Sequence, residues 1–155
     1  QDGGAVFGFS YHDLMARLKV LGPDNAWQRL REILPWFDEV QAAGGYRKYY
    51  NGSREGSLQG GGTAGGLGLD MEFFESAMVP QIMLNGFLGF APRADGFKLN
   101  PRLPKDWPSL CITRIHLHDH ILDVSAADRI LQVTDHNPGA KALHIQFPRG
   151  WTLKT

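Results

Sequence analysis

Cysteine is nearly absent: Cys111 is the sole thiol in 155 residues. That count excludes an internal disulfide and a thiolate metal site, and it fits a reduced compartment. Neither sign of charge is in excess. Lysine and arginine together number 16, aspartate and glutamate 16, and no basic stripe runs along the chain. A nucleic-acid partner is therefore not expected, because neutralising phosphates takes clustered cations. No apolar run approaches the roughly 18–20 residues of a membrane helix, so no membrane partner is expected either. There is no repeat at solenoid spacing. The opening QDGGAVFGFSYHDL has no initiator methionine, signal peptide or tag. It reads as a loop feeding a helix, and the chain is expected to be a piece of something longer.

What is present is enough apolar material for a core, at 43% of residues. Phe7, Tyr11, Leu14, Met15, Leu18 and Leu21 recur at helical spacing over residues 6–21. Gly22-Pro23 is a stop signal. Asp24 or Asn25 then caps a second helix to about residue 43, with Trp27, Leu30, Ile33 or Leu34, Phe37 and Val40 on its apolar stripe. Pro35 should kink that helix or split it near Leu34. The short connection makes the two helices antiparallel neighbours. A third helix runs from Asp70 as N-cap to about Asn85, with Gly86 ending it.

Beyond Gly86 the period changes. Residues 87–90, 97–99, 109–118, 120–126, 129–135 and 142–147 read as short strands between turn residues. LCITRIHLH alternates apolar and polar, with one slip of register near Thr113. Asp119-His120 and Ala127-Asp128 mark tight turns, so the tail is expected to be an antiparallel β module. His116, His118 and His120 share a face only on an unbroken strand, and Asp119 argues for a turn among them. No metal site and no cofactor are expected.

Between helices two and three lies SLQGGGTAGGLGLDMEFFES, with six glycines from Gly60 to Gly68 followed by Asp70, Glu72 and Glu75. Glycine loses the most freedom on folding, so such a run needs a reason: a tight turn, a close ligand, or a solvated loop. Gly60, Gly62 and Gly65 formally match a dinucleotide fingerprint, but Ser57-Leu58-Gln59 is no buried strand and no βαβ unit follows. Glu72 and Glu75, three apart, share a helix face, whereas Asp70 caps. The bland alternative for both glutamates is a first-turn carboxylate complementing the helix dipole. Upstream, Tyr46–Tyr50 (YRKYY) reads as a short strand. Tyr49 and Tyr50 point to opposite sides of it, so one of them is expected to be exposed near the glycine loop.

The segment NGFLGFAPRADGFKLNPRLPKDWPSL, residues 85–110, carries a resemblance. Leu88-Gly89, Pro92, Gly96-Phe97-Lys98-Leu99-Asn100-Pro101, Leu103-Pro104 and Trp107 resemble the junction between the last barrel helix and the C-terminal β-sandwich of (α/α)6-barrel carbohydrate enzymes. That clan includes cellobiose and maltose phosphorylases, α-L-rhamnosidase-like enzymes and debranching-enzyme relatives. Gln1-Asp2-Gly3-Gly4 is similar to a Q-N-G-G loop preceding a barrel helix there, with Asp2 in place of the usual asparagine.

The resemblance implies an α+β fold: residues 1–90 as the closing helical hairpins of an (α/α)6 toroid, and residues 91–155 as an antiparallel β-sandwich-like module. It implies a C-terminal fragment of a carbohydrate-active enzyme that hydrolyses glycosidic bonds in the full-length parent and is inactive alone. Glu72 is then the favoured general base, with Glu75 beside it. Gln1, Asp2, Tyr49, Gln59, Gly61, Gly62, Thr63 and Asp70 would contact a carbohydrate substrate. The general acid is expected on a part of the parent outside this chain. Exposed apolar helix faces would call for an oligomer or a complementing N-terminal chain. The alternative is a non-catalytic carbohydrate-binding or interaction module.

Overall fold

The computed structural model describes residues 8–42, 77–137 and 141–155. The first helix, α1, spans Gly8–Val20 and buries Leu14 and Leu18, four apart on one face. Its end is tied off by the Arg17 carbonyl, which accepts the N–H groups of Leu21 (2.7 Å) and Gly22 (2.9 Å). Gly22 sits at φ 94°, where a side chain would be strained. Helix α2 (Pro23–Ala42) starts directly afterwards, with proline at its first position. The expected cap at Asp24 or Asn25 is thus corrected. Asp24 lies inside the first turn, and the Asn25 side chain instead accepts from Arg17 Nη1 at 3.1 Å. Nor does Pro35 split α2, which continues to Ala42; the packing of Leu30 and Ile33 outweighs one missing N–H. Arg17 meets Asn25 while Asp13 meets Arg29 at 3.5 Å. One helix therefore descends as the other rises, and the antiparallel hairpin follows.

After a single turn, α3 (Met78–Gln81), the helix widens into a π-helical segment, Ile82–Phe87. The N–H of Leu88 bonds back to the Met83 carbonyl and that of Phe90 to the Leu84 carbonyl, both at 2.9 Å. The strand expected over 87–90 therefore does not form, and Gly86 does not end the helix. Gly86 is instead a point where α1 side chains pack against the backbone. A Cβ there would meet Leu18 Cδ2 and Met15 Sδ at 3.2 Å.

Seven short strands follow among the described residues. Strands β1 (Ala91–Arg93), β2 (Gly96–Lys98) and β6 (His144–Gln146) make one sheet in the order β1-β2-β6. Strands β3 (Ser109–Leu117), β4 (His120–Ala127), β5 (Ile130–Asp135) and β7 (Thr152–Lys154) make the other, in that order. Both sheets are mixed rather than antiparallel: β2 pairs with β6, and β5 with β7, in parallel. Alternating polarity does not encode direction, and β6 reaches β2 only after the whole β3–β5 meander. The meander turns are His118-Asp119 and Asp128-Arg129, one residue away from the expected pairs. The slip near Thr113 is a bulge between Ile112 and Ile115. Before it Leu110 and Ile112 face inward; after it Ile115 and Leu117 do.

Two buried clusters result. One lies between the sheets and includes Phe90, Phe97, Leu99, Leu122, Val124 and Leu131. The other joins Leu14, Leu18, Leu30, Met78, Ile82 and Phe87 in the helices. They interlock: Leu84 from the π segment packs on the sheet cluster, and Leu110 from β3 packs on both.

Candidate functional site

Every residue proposed from sequence for catalysis or sugar contact lies outside the described residues. Those are Gln1, Asp2, Tyr49, Gln59, Gly61, Gly62, Thr63, Asp70, Glu72 and Glu75. The structure does describe the junction of residues 85–110 in full, and it gives Gly89, Gly96, Phe97, Asn100 and Trp107 each a physical task.

Gly89 is held at φ 66°, where a Cβ would run into the Asn100 backbone. The close approach is fixed by the Asn100 N–H donating to the Gly89 carbonyl at 3.1 Å and that of Arg102 to Phe87 O at 2.8 Å. Gly96, at φ 154°, would place a Cβ against the His144 carbonyl across the parallel β2–β6 pair. Phe97 stacks on Phe90, with centroids 4.9 Å apart and planes at 26°. Trp107 then turns back into the helices. Its ring lies 4.9 Å from both Trp27 of α2 and Phe87 of the π segment. Arg31 covers Trp27 at 5.5 Å, a cation–π contact.

Two polar contacts fasten the same linker to the helical hairpin. Arg102 Nη1 donates to the Leu18 carbonyl (3.1 Å) in the last turn of α1, where a cation complements the dipole. The Lys105 N–H donates to Asp24 Oδ1 at 2.8 Å in the first turn of α2. Arg102 and the L-P-x-x-W stretch that follows it form a joint fastened to both ends of the α1–α2 turn.

A second polar cluster sits at the far end of the β meander. The turn at His118-Asp119 reverses the chain, so His116 and His118 are exposed while His120 points inward at 4% exposure. His120 Nδ1 is 2.6 Å from Asp135 Oδ2, and Nε2 is 3.0 Å from the Lys141 carbonyl. Both ring nitrogens face acceptors, so the ring is satisfied as an imidazolium. The hydrogen bond to Asp135, outweighing burial, raises the His120 pKa above its ordinary value. With neither nitrogen free, His120 fixes structure rather than moving protons. Nearby, Asp123 accepts from the Arg114 N–H (2.8 Å) and lies 2.7 Å from His136 Nε2. The Arg114 contact leads in lowering its pKa. No group of three or more His, Cys, Asp or Glu side chains suited to a metal occurs among the described residues.

Sequence reasoning missed one feature. A cleft of about 630 Å³ opens between the 101–108 linker and two turns of the β unit. Arg102, Lys105, Arg129 and Arg149 line it, with Trp107 and Trp151. The available signals were the P-R-G-W turn and arginine at a hairpin tip; nothing in sequence brings them beside the L-P-x-x-W joint. Among the described residues no helix is long and apolar enough to cross a membrane. Residues 90–149 match the family model described as glycosyl hydrolase family 65, C-terminal domain. No curated protein matches the chain.

Proposed function

We propose that this chain, whose residues 90–149 match the C-terminal domain model of glycosyl hydrolase family 65, is the closing part of such an enzyme's catalytic unit. In this reading residues 1–90 supply the last helical hairpins of the barrel, and residues 91–155 form the domain that buttresses them. The full-length parent cleaves glycosidic bonds by hydrolysis. Glu72 activates the attacking water on the sugar face opposite the leaving group, and Glu75 supports it. Gln1, Asp2, Tyr49, Gln59, Gly61, Gly62, Thr63 and Asp70 form the sugar-facing surface around them. The general acid comes from a part of the parent outside these 155 residues. The chain alone therefore binds or assembles without turning over, and it works with a complementing N-terminal chain or as an oligomer.

The observation that carries this reading is the Trp107 joint. A free-standing binding module has no need to bury its linker tryptophan between Trp27 and Phe87 of a helical unit. A domain whose task is to hold helices in place does. The test is glycosidase turnover of the complete enzyme. Glu72→Gln is expected to lower kcat by about 10²–10⁴-fold, the usual share of a positioned acid or base. Full turnover in both Glu72→Gln and Glu75→Gln removes the assignment of the base. Oligosaccharide binding by a complete protein with no turnover would favour the non-catalytic module.

A further inference from the structure

The cleft beside the joint is over-supplied with positive charge. Arg102, Lys105, Arg129 and Arg149 face Asp128 as the sole carboxylate of the lining. The chain as a whole is neutral, so this is a local concentration and not a by-product of a basic protein. Lys105 has a partner at the rim, Asp24 Oδ2 at 3.5 Å, and Arg102 spends one nitrogen on Leu18. Among the described residues Arg129 and Arg149 have no ion-pair or side-chain hydrogen-bond partner.

The backbone brings the turns that carry these two arginines together at a cost. Asp128 and Arg129 occupy φ 47° and 62°, left-handed values that usually go to Asn-Gly in a two-residue hairpin. Strain of this kind points to a site. The Arg129 carbonyl is pinned by the Thr152 N–H at 2.9 Å, and Gly150 at φ 79° brings the 148–151 turn alongside. A Cβ on Gly150 would lie 3.6 Å from Arg129 Nη1. Two unpaired guanidinium groups on adjoining turns of one cleft make its potential positive and favour an anion there. Trp151 and Trp107, both half-buried, also border the cleft, whose lining is mostly polar.

We infer that this cleft binds a phosphorylated sugar, with the phosphate forked by Arg129 and Arg149 and the ring lying on Trp151. Planar guanidinium groups bind phosphate oxygens in pairs, and a cleft of this volume suits one or two sugar rings. The site is built from described residues alone and does not depend on the roles of Glu72 or Glu75.

Calorimetric titration of the full chain with glucose 6-phosphate, glucose and inorganic phosphate tests it. Glucose 6-phosphate is expected to bind at least about tenfold more tightly than either of the others, with an affinity that falls as salt rises. Arg149→Ala, on an exposed turn, should lose about tenfold for the sugar phosphate while leaving the melting temperature unchanged; Arg129→Lys should lose a similar factor by removing the fork. Trp151→Ala should weaken glucose 6-phosphate but not inorganic phosphate. Equal affinity for glucose and glucose 6-phosphate, or undiminished binding in Arg149→Ala and Arg129→Lys, overturns the proposal. So does inorganic phosphate binding as tightly as the sugar phosphate.

Discussion

Single residues in this chain are fixed by what approaches them from far away in sequence. Gly89 and Gly96 were readable as parts of a motif, but the reason for glycine was not. It lies in Asn100 and His144, whose backbones occupy the space a Cβ would need. Gly89→Ala combines a left-handed backbone with a backbone clash and should cost about 2–4 kcal/mol in denaturant unfolding. A loss below about 0.5 kcal/mol, the level of an ordinary surface change, would contradict the geometry. His120 was legible only as a residue that a turn would separate from His116 and His118; its partners Asp135 and Lys141 come from another strand and a later loop. Its pKa is raised in the folded state, so its contribution is fully present below the unfolded value near 6.5 and is lost as pH rises through the folded value. The melting temperature should therefore fall as pH climbs above about 6.5, and His120→Asn should remove that part of the slope. Asp123 acts in the opposite window. Its pKa is lowered, so its support is present above the ordinary value of 3.8 and disappears as pH drops through the folded value below it.

At the scale of elements, legibility followed length and period. The long strands β3, β4 and β5 announced themselves by alternation, and even the bulge showed as a slip in LCITRIHLH. Strands β1 and β7 were missed because three residues cannot display a period; β2 and β6, equally short, were placed by the turn residues around them, with no sign of the parallel direction of β6. The π-helical segment was unreadable because nothing local distinguishes it from an α-helix; Gly86 and the arrival of α1 are what accompany the widening. The bulge makes its own prediction. Arg114 sits at φ 57°, a position where bulges favour glycine, while its N–H serves Asp123 through the backbone. Arg114→Gly keeps that hydrogen bond and relieves the strain, so it should raise stability by about 0.5–1 kcal/mol in chemical denaturation. A fall of that size would mean the Arg114 side chain supports the sheet.

In the whole molecule the junction decides behaviour. The helical and sheet clusters share Leu110, exchange Leu84, and meet at Trp107. Wild-type unfolding should be a single transition by both far-ultraviolet circular dichroism and tryptophan fluorescence. Trp107→Ala should cost about 3 kcal/mol and pull the two probes apart, because it empties the space between Trp27 and Phe87. Coincident transitions in that variant would mean the other contacts suffice. The motif's position at this joint was legible in sequence, and so was the general architecture of helices followed by strands. The residues expected to do chemistry fall outside the described segments, and the cleft lined by Arg129, Arg149 and Trp151 needed three dimensions to be seen. One consequence follows from the parallel pairs β2–β6 and β5–β7. Each sheet takes its outer strand from residues 144–154, so during vectorial synthesis neither can be finished while that stretch is still inside the ribosomal exit tunnel. A stop codon just before His144 would leave both sheets with a bare edge at once, a form for quality-control proteases to clear.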